Sequence, residues 1–228
     1  MRVQALHPDV VVCISGIWQT TCTIVHGTVS DTDAGECFVI DSPVLPEELE
    51  ALPSVLAQTG WECSGLLATH ADWDHLLGRL AFSGAALGVA ESSAQRLAAE
   101  PGAAQRDLRK FDAEHYVERG PLGLGEVQSL PVPGKLEIGD HEIELHEARG
   151  HTADGMALWL PWARVLIAGD YLSPVEDPMV GGDADDYRDT LERFRPLVAQ
   201  ADWVVPGHGS PMRAVAASEI LEAHLAAV

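Results

Sequence analysis

Residues 69–75 read THADWDH, and the interpretation of the whole chain turns on them. Two histidines and two aspartates, all side chains with lone pairs, follow the apolar, strand-like run GLLAT (65–69). In an extended loop residues i and i+2 point the same way, so His70 and Asp72 are placed to clasp one ion. Asp74 and His75 fall where the chain turns into a helix starting near Leu76, and face a second ion. Gly78 is expected to let that helix approach the sheet closely. Imidazole and carboxylate together suit zinc, iron or manganese.

Three further clusters have the same placement. His151 follows ELHEARG (144–150), Asp170 follows RVLIAG (164–169), and His208 follows WVVPG (203–207). Strand ends are rigid anchors, and loops leaving them converge on one rim of a sheet, as metal ligation requires.

Around these clusters the pattern alternates strands and helices. VVVCIS (10–15), TCTIVHG (21–27) and CFVID (37–41) read as strands of an antiparallel opening sheet, with SDTDAGE (30–36) as a turn. A helix is predicted from Pro46 to Gln58 with Leu49, Leu52 and Leu56 on one face, and Pro53 is expected to kink or split it. VAESSAQRLAAE (89–100) reads as a short helix closed by Pro101-Gly102. Residues 103–128 read as a helical insertion and loop over a surface. LEIGDHEIELHEA (136–148), MALWLP (156–161) and RVLIAGD (164–170) supply strands, followed by an acidic loop, SPVEDPMVGGDADD (173–186). A helix over 187–200 buries Leu191, Phe194 and Val198. The strand DWVVPG (202–207) and a helix over Ala214 to Ala227 follow. No linker, repeat or low-complexity tract divides the chain, so residues 1–228 are expected to form one domain.

Composition narrows the function classes. Hydrophobic content of 46% and charged content of 21% are those of an ordinary globular enzyme. A formal net charge of −21 repels phosphate backbones and argues against nucleic-acid partners. No window is apolar enough to span a membrane, and the first residues lack a secretory signal's apolar core. Cys13, Cys22, Cys37 and Cys63 have no CxxC spacing and are expected to be free thiols, which points to a cytoplasmic location.

With the motifs set out, the chain resembles the metallo-β-lactamase superfamily over essentially its full length. That family's pattern is HxHxDH, a histidine in a GHT turn, an aspartate in GD, and a final histidine. The matching positions here are His70, Asp72, Asp74 and His75, His151 in RGHTADGMAL, Asp170 in IAGDYL, and His208 in PGHGSP. The resemblance implies an α+β fold, a four-layer αββα sandwich of two mixed β-sheets flanked by helices. It also implies two divalent metal ions at one sheet edge. His70, residue 72 and His151 would hold one, Asp74, His75 and His208 the other, with Asp170 bridging.

The departure is Asp72, where the family carries histidine. One more negative charge makes the site a weaker Lewis acid. A carboxylate is also a harder ligand than imidazole, shifting preference from zinc toward iron or manganese. A flavodiiron branch of the superfamily similarly carries HxExDH. Alternatively, Asp72 binds no metal.

The function implied is a metal-dependent hydrolase that uses a metal-bridging hydroxide on a small ester, thioester, lactone or phosphoester. Asp74 would be the catalytic proton shuttle. Trp73 and Tyr171 are candidate substrate-binding residues, the first as an apolar wall and the second as a donor to a reacting oxygen. Two rival classes stand beside it: a non-haem iron oxidoreductase, persulfide dioxygenase-like or diiron, and a non-catalytic metal-binding or sensing module. The partner expected is a small-molecule substrate, and a homodimer is compatible with the sequence. Arg106, Arg109, Lys110 and Arg119, with His115 and Tyr116, form either an anion seat or a solvated helix face paired with acids. His7, His26, His141, His146 and His224 match no motif position.

Overall fold

Side-chain alternation along one strand separates the layers. In β2 (Val10–Ile14), Val10, Val12 and Ile14 join a buried cluster with Ile40, Leu67, Leu145, Leu158 and Ile167, while Val11 and Cys13 face a second cluster with Leu49, Leu52, Leu56 and Leu108. A strand buried on both faces belongs to a sheet covered on both sides, here by another sheet and by helices. These contacts come from a computed structural model that describes residues 1–29 and 35–228. Most of the turn expected over 30–36 lies outside the described residues.

The first sheet runs in sequence order: β1 (Arg2–His7), β2, β3 (Thr21–Thr28), β4 (Gly35–Asp41), β5 (Gly65–Ala68), β6 (Leu87–Ala90) and β7 (Val127–Leu130). Its pairings are antiparallel as far as β4 and parallel from β4 to β7. The second sheet contains β8 (Gly134–Ile138), β9 (His141–Glu147), β10 (Met156–Leu160), β11 (Val165–Gly169), β12 (Trp203–Pro206) and β13 (Met212–Arg213). Only β11 and β12 pair in parallel there. Both sheets are therefore mixed.

Helices α1 (Pro46–Thr59), α2 (Gly78–Ala81), α3 (Glu91–Ala99) and α4 (Ala103–His115) contribute to the outer cluster of the first sheet. Helices α5 (Ala184–Gln200) and α6 (Ala214–Ala227) bury Tyr187, Leu191, Phe194, Leu221 and Leu225 against Leu166, Ala168 and Val204 of the second. The result is the expected αββα sandwich.

Several local expectations need correction. Helix α1 runs unbroken through Pro53, because the burial of Leu49, Leu52 and Leu56 on one face outweighs the lost hydrogen bond. The helix near Leu76 is only a 3₁₀ turn (Trp73–His75) followed by the four-residue α2. A methyl added at Gly78 would meet Leu66 at 3.5 Å, an ordinary contact, so the glycine is not needed for close approach. Val89 and Ala90 belong to β6 rather than to α3. The 103–128 stretch ends in β7, a half-exposed strand whose VQSL gives little apolar signal.

The layer between the sheets is filled by aliphatic side chains, and Ile143 and Leu158 have no solvent exposure. Truncating either to alanine leaves a cavity that two sheets cannot collapse around. Leu158→Ala should cost about 2–5 kcal/mol, read as a lowered midpoint of urea unfolding at unchanged slope. A loss below about 1 kcal/mol would contradict the packing described.

Candidate metal centre

Asp170 lies at the centre of four imidazoles. Its Oδ1 is 3.2 Å from His75 Nε2. Its Oδ2 is 3.2 Å from His151 Nε2, 3.3 Å from His208 Nε2 and 3.6 Å from His70 Nε2. Asp74 Oδ2 lies 3.5 Å from His208 Nε2 and 3.7 Å from His75 Nε2. Two groups of donor atoms result, each within 4.8 Å of one another: His70, His151 and Asp170, and Asp74, His75 and His208. His70, Asp170 and His208 follow the ends of β5, β11 and β12, Asp74 and His75 lie in the 3₁₀ turn after β5, and His151 is in the β9–β10 loop, the rim that the sequence pattern pointed to.

Each imidazole is held from behind. His151 Nδ1 lies 3.0 Å from the Met179 carbonyl, His208 Nδ1 3.2 Å from the Trp18 carbonyl, and His70 Nδ1 3.1 Å from Thr69 Oγ1. His75 Nδ1 faces Asp41 Oδ2 at 3.1 Å, an ion-pair contact without hydrogen-bond geometry. A proton fixed on Nδ1 leaves the Nε2 lone pair free to ligate. The Nε2 atoms of His70, His75 and His151 and Oδ1 of Asp170 are buried without a hydrogen-bond partner. Buried polar atoms are rarely left so. Converging orphaned donors of this kind fit divalent metal, and imidazole with carboxylate fits zinc, iron or manganese.

Glycine makes room for the central aspartate. A methyl on Gly207 would overlap Asp170 Oδ1, and Gly169 adopts φ +63 where β11 turns into Asp170. Trp18 and Gln19, both at φ 52, turn the β2–β3 loop so that the Trp18 carbonyl meets His208. Backbone held in the left-handed region costs free energy and persists where surrounding contacts over-determine it.

Charge follows geometry. Burial would push the His75, His151 and His208 pKa values down, but the Asp170 carboxylate outweighs it and raises all three, His151 to about 10. Burial would raise Asp170, but the charges of His75 and His70 hold it well below the usual carboxylate range.

Asp72 lies beside the first group, its Oδ2 3.5 Å from His70 Nε2 and 3.7 Å from His151 Nε2. Against burial, the His151 and His70 imidazoles facing it and the Arg96 charge lower its pKa far below the ordinary value. Its Oδ1 is 2.7 Å from Arg96 Nη2. The extra negative charge expected from Asp72 alone is therefore offset by a partner that the sequence motif did not contain.

Tyr171 needs correction as a substrate-facing donor. It is buried against Tyr187 and Phe194, and its hydroxyl oxygen accepts from the His151 backbone N–H at 2.9 Å. Trp73 is half-buried and packs on Trp18 and Phe111. The basic residues of α4 and the loop after it are largely engaged: Lys110 pairs with Asp107, Arg119 with Asp112, and Arg106 donates to the Pro101 carbonyl. Only Lys110–Asp107 is an exposed pair with an acid; Arg119 and Asp112 form a buried one. His26 stacks on Trp61 and His141 on Trp162, consistent with packing roles.

Three supporting residues escaped sequence reasoning. Asp41, at the end of β4 with φ 59, accepts from Thr69 N and Oγ1 and faces His75. Asp154 accepts from Ala71 N and from Arg96. For Asp41 the signal existed: an acidic residue closing an apolar strand, as with Asp170. Arg96 carries none, because nothing in α3 marks it as turned toward a loop far away in sequence.

Residues 16–208 match the metallo-β-lactamase superfamily profile, and the chain belongs to that superfamily, most of whose members are metallohydrolases. It is 27% identical over 194 residues to a β-lactamase-like protein 2 homolog of Caenorhabditis elegans, covering 84% of this chain and 56% of that protein. It is 28% identical over 144 residues to a hydroxyacylglutathione hydrolase of Methylobacterium sp. (strain 4-46), covering 63% of this chain and 46% of the relative. These alignments span about half the length of the relatives. A crystal structure of a metallo-β-lactamase family protein from Thermus thermophilus superposes with a TM-score of 0.70 at 23% identity, over 97% of this chain and 81% of that one.

Two outcomes are expected. Gly207→Ala should displace Asp170 and weaken zinc binding by about 10–100-fold while leaving the far-ultraviolet circular dichroism intact; unchanged affinity would contradict the packing. Because His151 titrates at about 10, metal uptake at neutral pH must displace its proton. Imidazole ligates only when neutral, so zinc affinity should rise with pH, by about tenfold per unit for each proton displaced, as the raised His151, His75 and His208 lose their protons. A pH-independent affinity in competition titrations would refute this.

Proposed function

We propose that the chain is a dinuclear metallohydrolase of small esters, thioesters, lactones or phosphoesters, with zinc as the working ion. His70, Asp72 and His151 would hold one ion, Asp74, His75 and His208 the other, and Asp170 would lie between them. The observation that carries this reading is the set of buried imidazole nitrogens left without hydrogen-bond partners around one carboxylate. Bound there, the ions would supply Lewis acidity and lower the pKa of a coordinated water. Family membership and the similarity to a hydroxyacylglutathione hydrolase support hydrolysis, and the latter favours thioesters.

The chain's own residues account for the rest. Asp74 Oδ2, close to His75 and His208, is positioned to take and return a proton. Tyr171 and the Met179 carbonyl fix His151 from two sides. Trp73 forms a wall of a cavity of about 200 Å³ also lined by Asp72, Arg96, Leu97 and Ala104. Trp18, 44% exposed, continues that aromatic face. An acyl or leaving group would rest its apolar part on Trp73 and Leu97, opposite the charged Arg96, Glu100 and Asp107. With a net charge of −21 the protein draws in no polyanion, so nucleic acids are not proposed as substrates.

Four free cysteines suit a reducing compartment, and a cytoplasmic location is proposed on that ground. Among the described residues no helix is long and apolar enough to cross a membrane. One domain over residues 1–228 and a homodimer remain parts of this proposal. A second reading draws on the His70, His151 and Asp170 group, two histidines and a carboxylate, which is also the ligand set of oxygen-activating iron.

The test is a hydrolysis panel on one metal-defined preparation, run beside an oxygen electrode with thiol and persulfide substrates. Turnover should vanish with a strong chelator, return with zinc, and leave no covalent acyl-enzyme. Neutral or singly charged esters, lactones or thioesters should exceed nucleotides. Oxygen uptake with no hydrolysis anywhere in the panel would overturn the hydrolase in favour of the iron reading.

A further inference from the structure

Arg96 reaches from α3 to two carboxylates at once. Nη2 lies 2.7 Å from Asp72 Oδ1, and Nη1 lies 2.8 Å from Asp154 Oδ1. Asp154 is buried at 2% exposure, and its other oxygen accepts from Ala71 N at 3.0 Å. The guanidinium is therefore anchored on the β9–β10 loop, which also carries His151, and presents its second nitrogen to the loop that carries His70 and Asp72. An anchored planar fork has less freedom to lose than a surface arginine, so its ion pair with Asp72 is held in place through the Asp154 hydrogen bond.

That hold divides the two oxygens of Asp72. Oδ1 is engaged by Arg96, while Oδ2 faces His70 Nε2 and His151 Nε2. A carboxylate without such a partner offers both oxygens and a full negative charge. Here it offers one oxygen, and the charge is met within a hydrogen bond's length.

We infer that Arg96 is a positioning residue that makes Asp72 a single-oxygen, charge-compensated ligand, standing where the family's motif has a neutral histidine. Asp72 and Arg96 together carry the net charge of that histidine. Arg96 is shared with the buried Asp154, so the three groups together carry one negative charge, which resides on the far side of the guanidinium from the ion position. This rests on the reading that His70, Asp72 and His151 hold an ion. It goes beyond that reading by assigning the ion preference to a residue outside the motif. Without Arg96, Asp72 would be free to chelate through both oxygens and would favour a harder ion, moving preference from zinc toward manganese.

The experiment measures zinc and manganese affinities separately, by competition with a chromophoric chelator, in wild type, Arg96→Gln, Arg96→Lys, Asp72→His and the Asp72→His/Arg96→Gln double variant. Arg96→Gln should move the zinc-over-manganese preference about tenfold toward manganese, the low end for losing a ligand's supporting partner. In the Asp72→His background the same change should leave the preference unaltered, since there is no carboxylate to compensate. Arg96→Lys keeps the charge but not the fork and should shift the preference by clearly less than Arg96→Gln. It carries the test if the glutamine variant loses its cooperative thermal transition, and a tenfold shift in it would overturn the proposal. Equal weakening of both ions by Arg96→Gln, no change at all, or the same shift in both backgrounds would reduce Arg96 to a cross-link between loops. A wild type that takes up neither ion would instead sink the metal-site reading beneath it.

Discussion

The structure depends on keeping one buried carboxylate, Asp170, ionised among four imidazoles. An unpaired carboxylate in that position would cost several kcal/mol, roughly the whole margin by which a domain is stable. The compensation comes from His70, His75, His151 and His208, each from a different approach to the same edge. Gly207 keeps the space free of a side chain, and Gly169 makes the turn that lifts Asp170 out of β11. The two sheets meet at this edge as well: Thr21 Oγ1 and N bond the Pro206 and Gly207 carbonyls. Site and sandwich thus share the same hydrogen bonds.

A second layer of residues fixes the imidazoles. Asp41 accepts from Thr69, which in turn meets His70, and faces His75 as an ion pair, so one strand end lies behind a histidine of each group. Arg96 and Asp154 tie the loop of His70 to the loop of His151. Tyr171 does the same for His151 from the side of α5. Preorganisation of this kind lets a site bind or react without paying to order its groups at that moment.

The fold was legible because strands buried on both faces leave continuous apolar runs, as in VVVCI and MALWL, and because all ligand clusters but that of His151, which follows the partly exposed β9, closed such a run. Elements without that contrast were lost: β1, largely exposed, β7, half-exposed, and β13, two residues long; β6, though buried, is four residues long and runs straight into α3. The motif residues His70, Asp74, His75, His151, Asp170 and His208 all reach one edge. Their supports were less legible for a physical reason. The Trp18 and Met179 carbonyls act through backbone atoms that any residue possesses. Arg96 acts through a contact that only the packing of α3 creates. Tyr171, read as a substrate donor from its place beside Asp170, is turned inward by the aromatic packing of Tyr187 and Phe194. Asp72, the odd letter of THADWDH, becomes intelligible only once its partner is seen.

The central claim, that Asp170 organises two adjacent metal positions, is tested most directly by counting zinc on the intact folded chain with native mass spectrometry, in wild type and Asp170→Asn. The account predicts two ions on the wild type, one for each ligand group, and loss of the pair in Asp170→Asn with the fold retained. A wild type that saturates at one ion, or an Asp170→Asn chain that still holds two, would contradict it.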